Sequence, residues 1–181
     1  MSQAPSSPSP RRGDPHPRFA AALAALGPLA SPGRPEGDVE IRSFPEATRT
    51  AAQAAEAIGC DLSQIVKSLV FAADGEPVLV LMDGASRVDV ELVRAELDAS
   101  EVKRADAATV REATGYAIGG VPPFGHVTAM TVLADRRLLD HEVVWAAAGT
   151  PHTVFALAPK ELIAHARGSV VDVREQSAEV S

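Results

Sequence analysis

Cysteine is almost missing from this sequence. Cys60 stands alone among 181 residues, which excludes an internal disulfide framework and any zinc site built from several thiolates, and suits a reducing compartment. No apolar run approaches the ~20 residues needed to span a bilayer. The N-terminal stretch MSQAPSSPSPRRGDPHP contains no hydrophobic segment of the kind a secretory signal requires. A soluble, cytoplasmic protein is the expectation. Positive charge is also scarce: 17 Lys and Arg against 24 Asp and Glu leave a formal net charge of -7, which argues against broad, sequence-blind adhesion to nucleic acid. Residues 1–18 carry three arginines against one aspartate, so the remainder is more acidic still and any RNA contact is confined to a local patch.

The motifs of several catalytic classes are absent as well. His16, His126, His141, His152 and His165 never recur at the i, i+4 spacing of a helical metal pair, and His141-Glu142 lacks the second histidine of a zinc-protease motif. No metal and no cofactor are expected. There is no Gly-x-Ser-x-Gly elbow. Gly120 and Gly125 have the spacing of a phosphate-binding loop, but His126-Val127 replaces the Lys-[Ser/Thr] that would hold phosphate and magnesium, and Pro122-Pro123 removes two N–H donors. Two readings of that loop remain. It is a rigid turn, or Gly119 and Gly120 let the backbone approach a ligand while the prolines stiffen the wall. Cys60, between Gly59 and Asp61 at an expected helix end, is a weak candidate nucleophile because nothing near it in sequence depresses its thiol pKa.

What is present suits one domain, with 46% hydrophobic residues to build a core. Residues 1–17, rich in Pro, Ser and Arg, are expected to be a disordered tail, residues 18–174 the folded domain and residues 175–181 a flexible tail. Within the domain FAAALAALGPLA reads as a helix and VEIRSF as a strand. TRTAAQAAEAIG reads as a helix closed by Gly59, and QIVKSLVF and EPVLVLMD as strands of a hairpin turning at Asp74-Gly75. VDVELVRAELD and ADAATVREAT read as helices with a short strand in SEVKR between them. After the loop GYAIGGVPPFGH come strands around TVLAD, EVVWAAA and TVFALA, a helix in PKELIAHAR and a last strand in SVVDV. Strands outnumber helices and several are hairpin-linked, so the expected fold is mixed α/β: a mixed sheet with helices packed around it, not a doubly wound parallel sheet.

One residue breaks the pattern. Period two places Ile65, Lys67, Leu69 and Phe71 on one face of QIVKSLVF and Val66, Ser68, Val70 and Ala72 on the other. Both faces are mainly apolar, and lysine is seldom buried without a partner. Lys67 either snorkels to water, stabilises developing negative charge, or serves as a desolvated amine.

QIVKSLVF, the following DGEPVLVL hairpin and TGYAIGGVPPFGH about fifty residues later together resemble the YbaK/EbsC family, the editing-domain superfamily of bacterial prolyl-tRNA synthetase, over roughly residues 38–173. Members hydrolyse mischarged aminoacyl-tRNA, and the family fold is a strongly twisted mixed sheet or partial barrel surrounded by helices. The resemblance implies that Lys67 is the family's lysine and faces a pocket, and that Gly119 to Pro123 is its Gly-x-x-x-Pro loop. It implies catalytic roles for Lys67, Gly119 and Gly120, and substrate contacts from Val121, Pro122, Pro123, Thr48, His152 and Thr153. Water, or a group on the substrate, would attack the ester. Cysteine-specific members carry an aspartate where this chain has GTPHTVFALAP, which argues against a cysteine-specific activity and leaves alanine, serine, threonine or a non-protein amino acid open. The implied partner is the acceptor end of an aminoacyl-tRNA, with a synthetase as a further partner. The alternatives are a non-catalytic module that binds aminoacyl-tRNA or a synthetase, and a hydrolase of small aminoacyl esters.

Overall fold

The computed structural model describes residues 14–44 and 50–176. Its elements are α1 (Pro17–Ala25), β1 (Ile41–Ser43), α2 (Ala51–Ile58), β2 (Ile65–Ala73), β3 (Glu76–Asp83), α3 (Val90–Leu97), β4 (Val102–Arg104), α4 (Ala107–Thr114), β5 (Thr131–Asp135), β6 (Val144–Ala147), β7 (Thr153–Leu157), α5 (Pro159–Ala166) and β8 (Ser169–Val171). Short polar residues set where the helices begin. Thr50 and Gln53 form a reciprocal capping box at α2, and the carboxylates of Asp89 and Asp106 accept the first N–H groups of α3 and α4.

The strands form one mixed sheet in the order β1-β7-β6-β2-β3-β5-β8, with β4 added to β2. β2 and β3 are an antiparallel hairpin through Asp74-Gly75, both at positive φ as a two-residue turn demands. The β2–β6, β3–β5 and β5–β8 pairs are parallel. The mixed sheet expected from the sequence is present.

Alternation along β2 and β3 divides the interior. Val66, Val70, Leu79 and Leu81 face a core that also holds Phe19 of α1, Val110 of α4 and Leu162 of α5. On the opposite face, Phe71, Val80 and Met82 pack with Val93 of α3, and Ile65 and Trp145 pack with Ala54 and Ala55 of α2. Helices therefore cover both sides, which is why neither face of β2 reads as polar.

Ordered contacts begin earlier than composition suggests. Composition assigns His16 and Pro17 to the tail, yet the His16 N–H donates to the Ala148 carbonyl at 3.0 Å, its Nδ1 accepts the Arg18 N–H at 3.1 Å, and Pro17 opens α1. Proline belongs at a first helical turn, where its missing N–H costs nothing. Among the described residues, no helix is long and apolar enough to cross a membrane.

Candidate functional site

The sheet has a gap on one edge of β2. β6 pairs with Ile65 and Val66, and β4 pairs with Phe71 to Ala73, so neither strand is in register with residues 67–70. A cavity of about 280 Å³ lies at this gap, between the end of β6 at Ala147, Arg104 and Ala105 at β4, Ala51 and Ala54 of α2, and two loops, one contributing Ile118, Gly119 and Val121 and the other Thr150, Pro151 and Thr153. β6 leaves β2 because the chain turns at Gly149 (φ +95°), and the Ala148 N–H is given to the Thr153 carbonyl across the hairpin.

Lys67 lines the cavity from β2, half-buried, with its Nζ donating to the Ser86 carbonyl at 2.6 Å. Burial holds the ammonium below the ordinary lysine value of 10.5. Asp83 opposes that shift, while Arg104 and Arg87 add to it. Its neighbour Ser68 also lines the cavity, and the Ser68 Oγ is buried with no hydrogen-bond partner among the described residues. Of the residues lining the cavity, Lys67 and Arg104 carry charge, and both are cations. Among the described residues, no carboxylate or imidazole joins them.

The two loops are built to touch. A side chain on Gly120 would bring its Cβ within 2.9 Å of the Thr150 carbonyl carbon, so the backbones meet only because position 120 has no Cβ. Gly119 takes φ +89° and lines the cavity with Val121, while Ile118 stands 54% exposed at the mouth. Behind the loop, the Tyr116 hydroxyl donates to the Gly125 carbonyl at 2.8 Å, and burial pushes this phenol up to about 12. His126 Nε2 lies 2.7 Å from the Pro122 carbonyl. A carbonyl can only accept, so Nε2 carries the proton, and burial lowers the His126 pKa and keeps the ring neutral. Facing this loop, the Thr150 and Thr153 hydroxyls lie 2.6 Å apart.

The sequence-derived candidates thus divide. Lys67, Gly119, Val121 and Thr153 line one cavity, whereas Gly120, Pro122 and Pro123 are buried behind it and shape its wall. His152 is not among the lining residues. Its carbonyl accepts the Phe44 N–H at 2.8 Å and its N–H donates to Thr150 Oγ1 at 3.3 Å, so its part here is in the β6–β7 turn. Thr48 lies outside the described residues. Cys60 does not line the cavity either, and burial together with Asp61 raises its thiol pKa, which disfavours the thiolate. Among the described residues no group of three His, Cys, Asp or Glu could hold a metal ion.

Sequence reasoning did not single out Ser68, Arg104, or α1. Ser68 adjoins a lysine that drew attention to itself, and nothing in period two marks a serine as cavity-lining. The contribution of α1 depends on long-range contacts. Phe19 is fully buried and stacks on Phe124 of the Gly-Pro loop at 5.5 Å, and the His16 ring meets Tyr116 edge-on at 5.0 Å.

Comparison with known proteins adds independent information. The profile of the aminoacyl-tRNA editing domain matches residues 45–164. The uncharacterized protein YwhH of Bacillus subtilis (strain 168) is 35% identical over 124 residues, 68% of this chain and 78% of that protein. The proline–tRNA ligase of Lactobacillus helveticus (strain DPC 4571) is 35% identical over 91 residues, 50% of this chain, and the match spans 16% of the ligase. A solved structure, described as that of a candidate trans-editing enzyme for prolyl tRNA synthetase, superimposes with a TM-score of 0.78 at 38% identity, covering 90% of this chain and 100% of the other.

Proposed function

Since the chain belongs to the aminoacyl-tRNA editing domain family, we propose that it is a trans-acting editing hydrolase that deacylates mischarged aminoacyl-tRNA carrying a small amino acid such as alanine, serine, threonine or cysteine. The observation that carries this reading is the cavity at the gap of the sheet, which Lys67, Gly119 and Thr153 line and where both charged residues among the described lining are cations, in a chain of net charge -7. A largely apolar cavity with cations in its lining suits a small acyl group joined to a polyanion, the cations meeting phosphate.

The reaction adds water across the ester. The water oxygen bonds to the carbonyl carbon, the bond to the ribose oxygen breaks, and the proton ends on that ribose hydroxyl. Among the described lining residues no carboxylate or imidazole offers a general base, so the described residues contribute positioning and charge stabilisation of an already labile ester. Lys67 supplies positive charge beside the carbonyl or the terminal phosphate. Gly119 and Val121 form one wall, held by the Tyr116 and His126 hydrogen bonds. The Thr150–Thr153 hydroxyl pair faces them and suits a small polar side chain or a bound water. The acceptor end of tRNA is the partner, and a prolyl-tRNA synthetase is the enzyme whose errors it would correct.

The test is single-turnover deacylation of alanyl-, seryl-, threonyl- and cysteinyl-tRNA on one tRNA body, with Lys67→Ala as the control. The wild type is expected to cleave the first three at least as fast as the fourth, with shallow differences because a methylene is worth only ~1–3 kcal/mol in a pocket. Lys67→Ala should lose on the order of 10²-fold or more in rate while keeping its fold. A folded Lys67→Ala protein with full activity sinks this mechanism.

A further inference from the structure

Backbone polar groups along a strand point alternately to its two edges, and two hydrogen bonds fix the phase in β2. The Ile65 carbonyl accepts the Gly84 N–H at 2.7 Å on the β3 side, and the Val70 carbonyl accepts the Ala105 N–H at 3.1 Å on the β4 side. Odd-numbered residues therefore address β3 and even-numbered residues address the edge shared by β6 and β4. Val66 is paired with β6, and the Val70 carbonyl with the Ala105 N–H. Ser68 falls between them. Its N–H and C=O point into the gap, and neither meets a hydrogen-bond partner among the described residues. Its Oγ is buried and unpartnered at the same place.

A β-sheet seldom leaves both main-chain groups of a central-strand residue unpaired, because each lost bond in a desolvated setting costs about 1–3 kcal/mol. The gap is also short. It spans the single even-numbered residue between the last rung of β6 and the first contact of β4, too little for a peptide strand but the length of one residue. An α-aminoacyl group in extended conformation presents one N–H donor and one carbonyl acceptor on the same edge, the complement of what Ser68 offers.

We propose that the aminoacyl group of the substrate occupies the missing rung of the sheet: its α-ammonium donates to the Ser68 carbonyl, its ester carbonyl accepts the Ser68 N–H, and the Ser68 hydroxyl completes the shell. The subsite selects for an α-amino ester, whatever its side chain. The side chain is left to the cavity walls, and the N–H on the ester oxygen strengthens as that oxygen gains negative charge in the transition state. This inference rests on the functional reading above, and adds to it which atoms of the substrate the backbone recognises.

The experiment uses the fastest-cleaved substrate of the four-ester panel in three forms on one tRNA body: the aminoacyl ester, the N-acetylated ester, and the 2-hydroxyacyl ester obtained by nitrous acid deamination. Because the α-ammonium also makes the ester intrinsically labile, each rate is divided by that ester's own spontaneous hydrolysis. Exchange of a charged donor for a neutral one, a hydroxyl or an acylated N–H, predicts that the enzyme's acceleration drops about tenfold for both altered esters. Acceleration within threefold of the parent for both would overturn the subsite and leave the deacylase reading standing. No acceleration of any of the four parent esters would overturn the deacylase reading, and the subsite with it.

Discussion

Lys67 and Ser68 are adjacent in β2 and illustrate two ways of holding a polar group in a covered sheet. Lys67 keeps a partner in the Ser86 carbonyl, and burial still lowers its pKa. A base with a depressed folded-state pKa gives up its proton sooner in the native protein. Between that lowered value and 10.5 the unfolded chain holds more protons, so this group's destabilising effect, complete at lower pH, fades as pH rises through the folded-state value. Activity should run the other way. Acceleration over spontaneous hydrolysis is expected to decline at a pH below 10.5 in the wild type and to stay level there in Lys67→Arg, whose guanidinium does not titrate. A wild-type profile that matches Lys67→Arg throughout would contradict a role for the ammonium. Ser68 presents the opposite case, because its hydroxyl is buried and unpartnered. Ser68→Ala removes a desolvated polar atom, so the melting temperature should hold or rise while the deacylation rate falls. Falling stability with unchanged rate would mean that Ser68 serves packing alone.

At the scale of elements, α1 is joined to both loops that build the cavity wall. Phe19 packs between Phe124 and Phe155, and Gly149 is accommodated only because it lacks the side chain that would collide with His16. Composition suggested cutting the chain after residue 17. That cut would discard the His16 N–H bond to Ala148 and the cap of α1, whereas a cut after Gly13 retains every contact described for this segment. The shorter truncation is expected to melt like the full chain, and the longer one lower, by the several degrees that ~1–2 kcal/mol produces in a domain of this size. Equal melting points for the two would show that the cap and the Ala148 bond contribute nothing. α1 lies outside the stretch matched by the editing-domain profile, residues 45–164, yet it abuts the loops within it.

For the molecule as a whole, the relation between charge and ligand is local. The chain carries -7, and its paired arginines are spent within the protein: Arg34 on Asp38 and Glu40, Arg42 on Glu40, Arg94 on Glu91, and Arg136 on Asp172. At the cavity, Lys67 and Arg104 are left to meet phosphate, with the Arg104 guanidinium 5.7 Å over the Phe71 ring. A contact of about two phosphates predicts a shallow fall of log affinity with log salt, a slope of roughly -1 to -2, reduced by about one in Arg104→Ala. Titrating tRNA binding from low to moderate salt checks this. A slope of about -5 or steeper would require a broad basic face, at odds with a net charge of -7.

Much of the architecture was legible in residue order because it depends on short-range chemistry. Thr50 and Gln53 at three residues' spacing, Asp89 and Asp106 ahead of their helices, Asp74-Gly75 between two apolar runs, and period two along QIVKSLVF each specify a local conformation by capping, turn geometry or burial. A lysine on a strand apolar on both faces marked a site for the same reason, since its cost is visible wherever the chain goes. The tertiary structure alone decided what surrounds it. That β6 stops at Val66 while β4 starts at Phe71, that Gly120 lies against Thr150, and that His16 and Phe19 brace loops about a hundred residues away are facts of pairing between distant segments. Local sequence carries no term for a rung that is missing. Ser68 becomes notable only once both of its would-be neighbours have turned aside, leaving its backbone and hydroxyl facing a cavity.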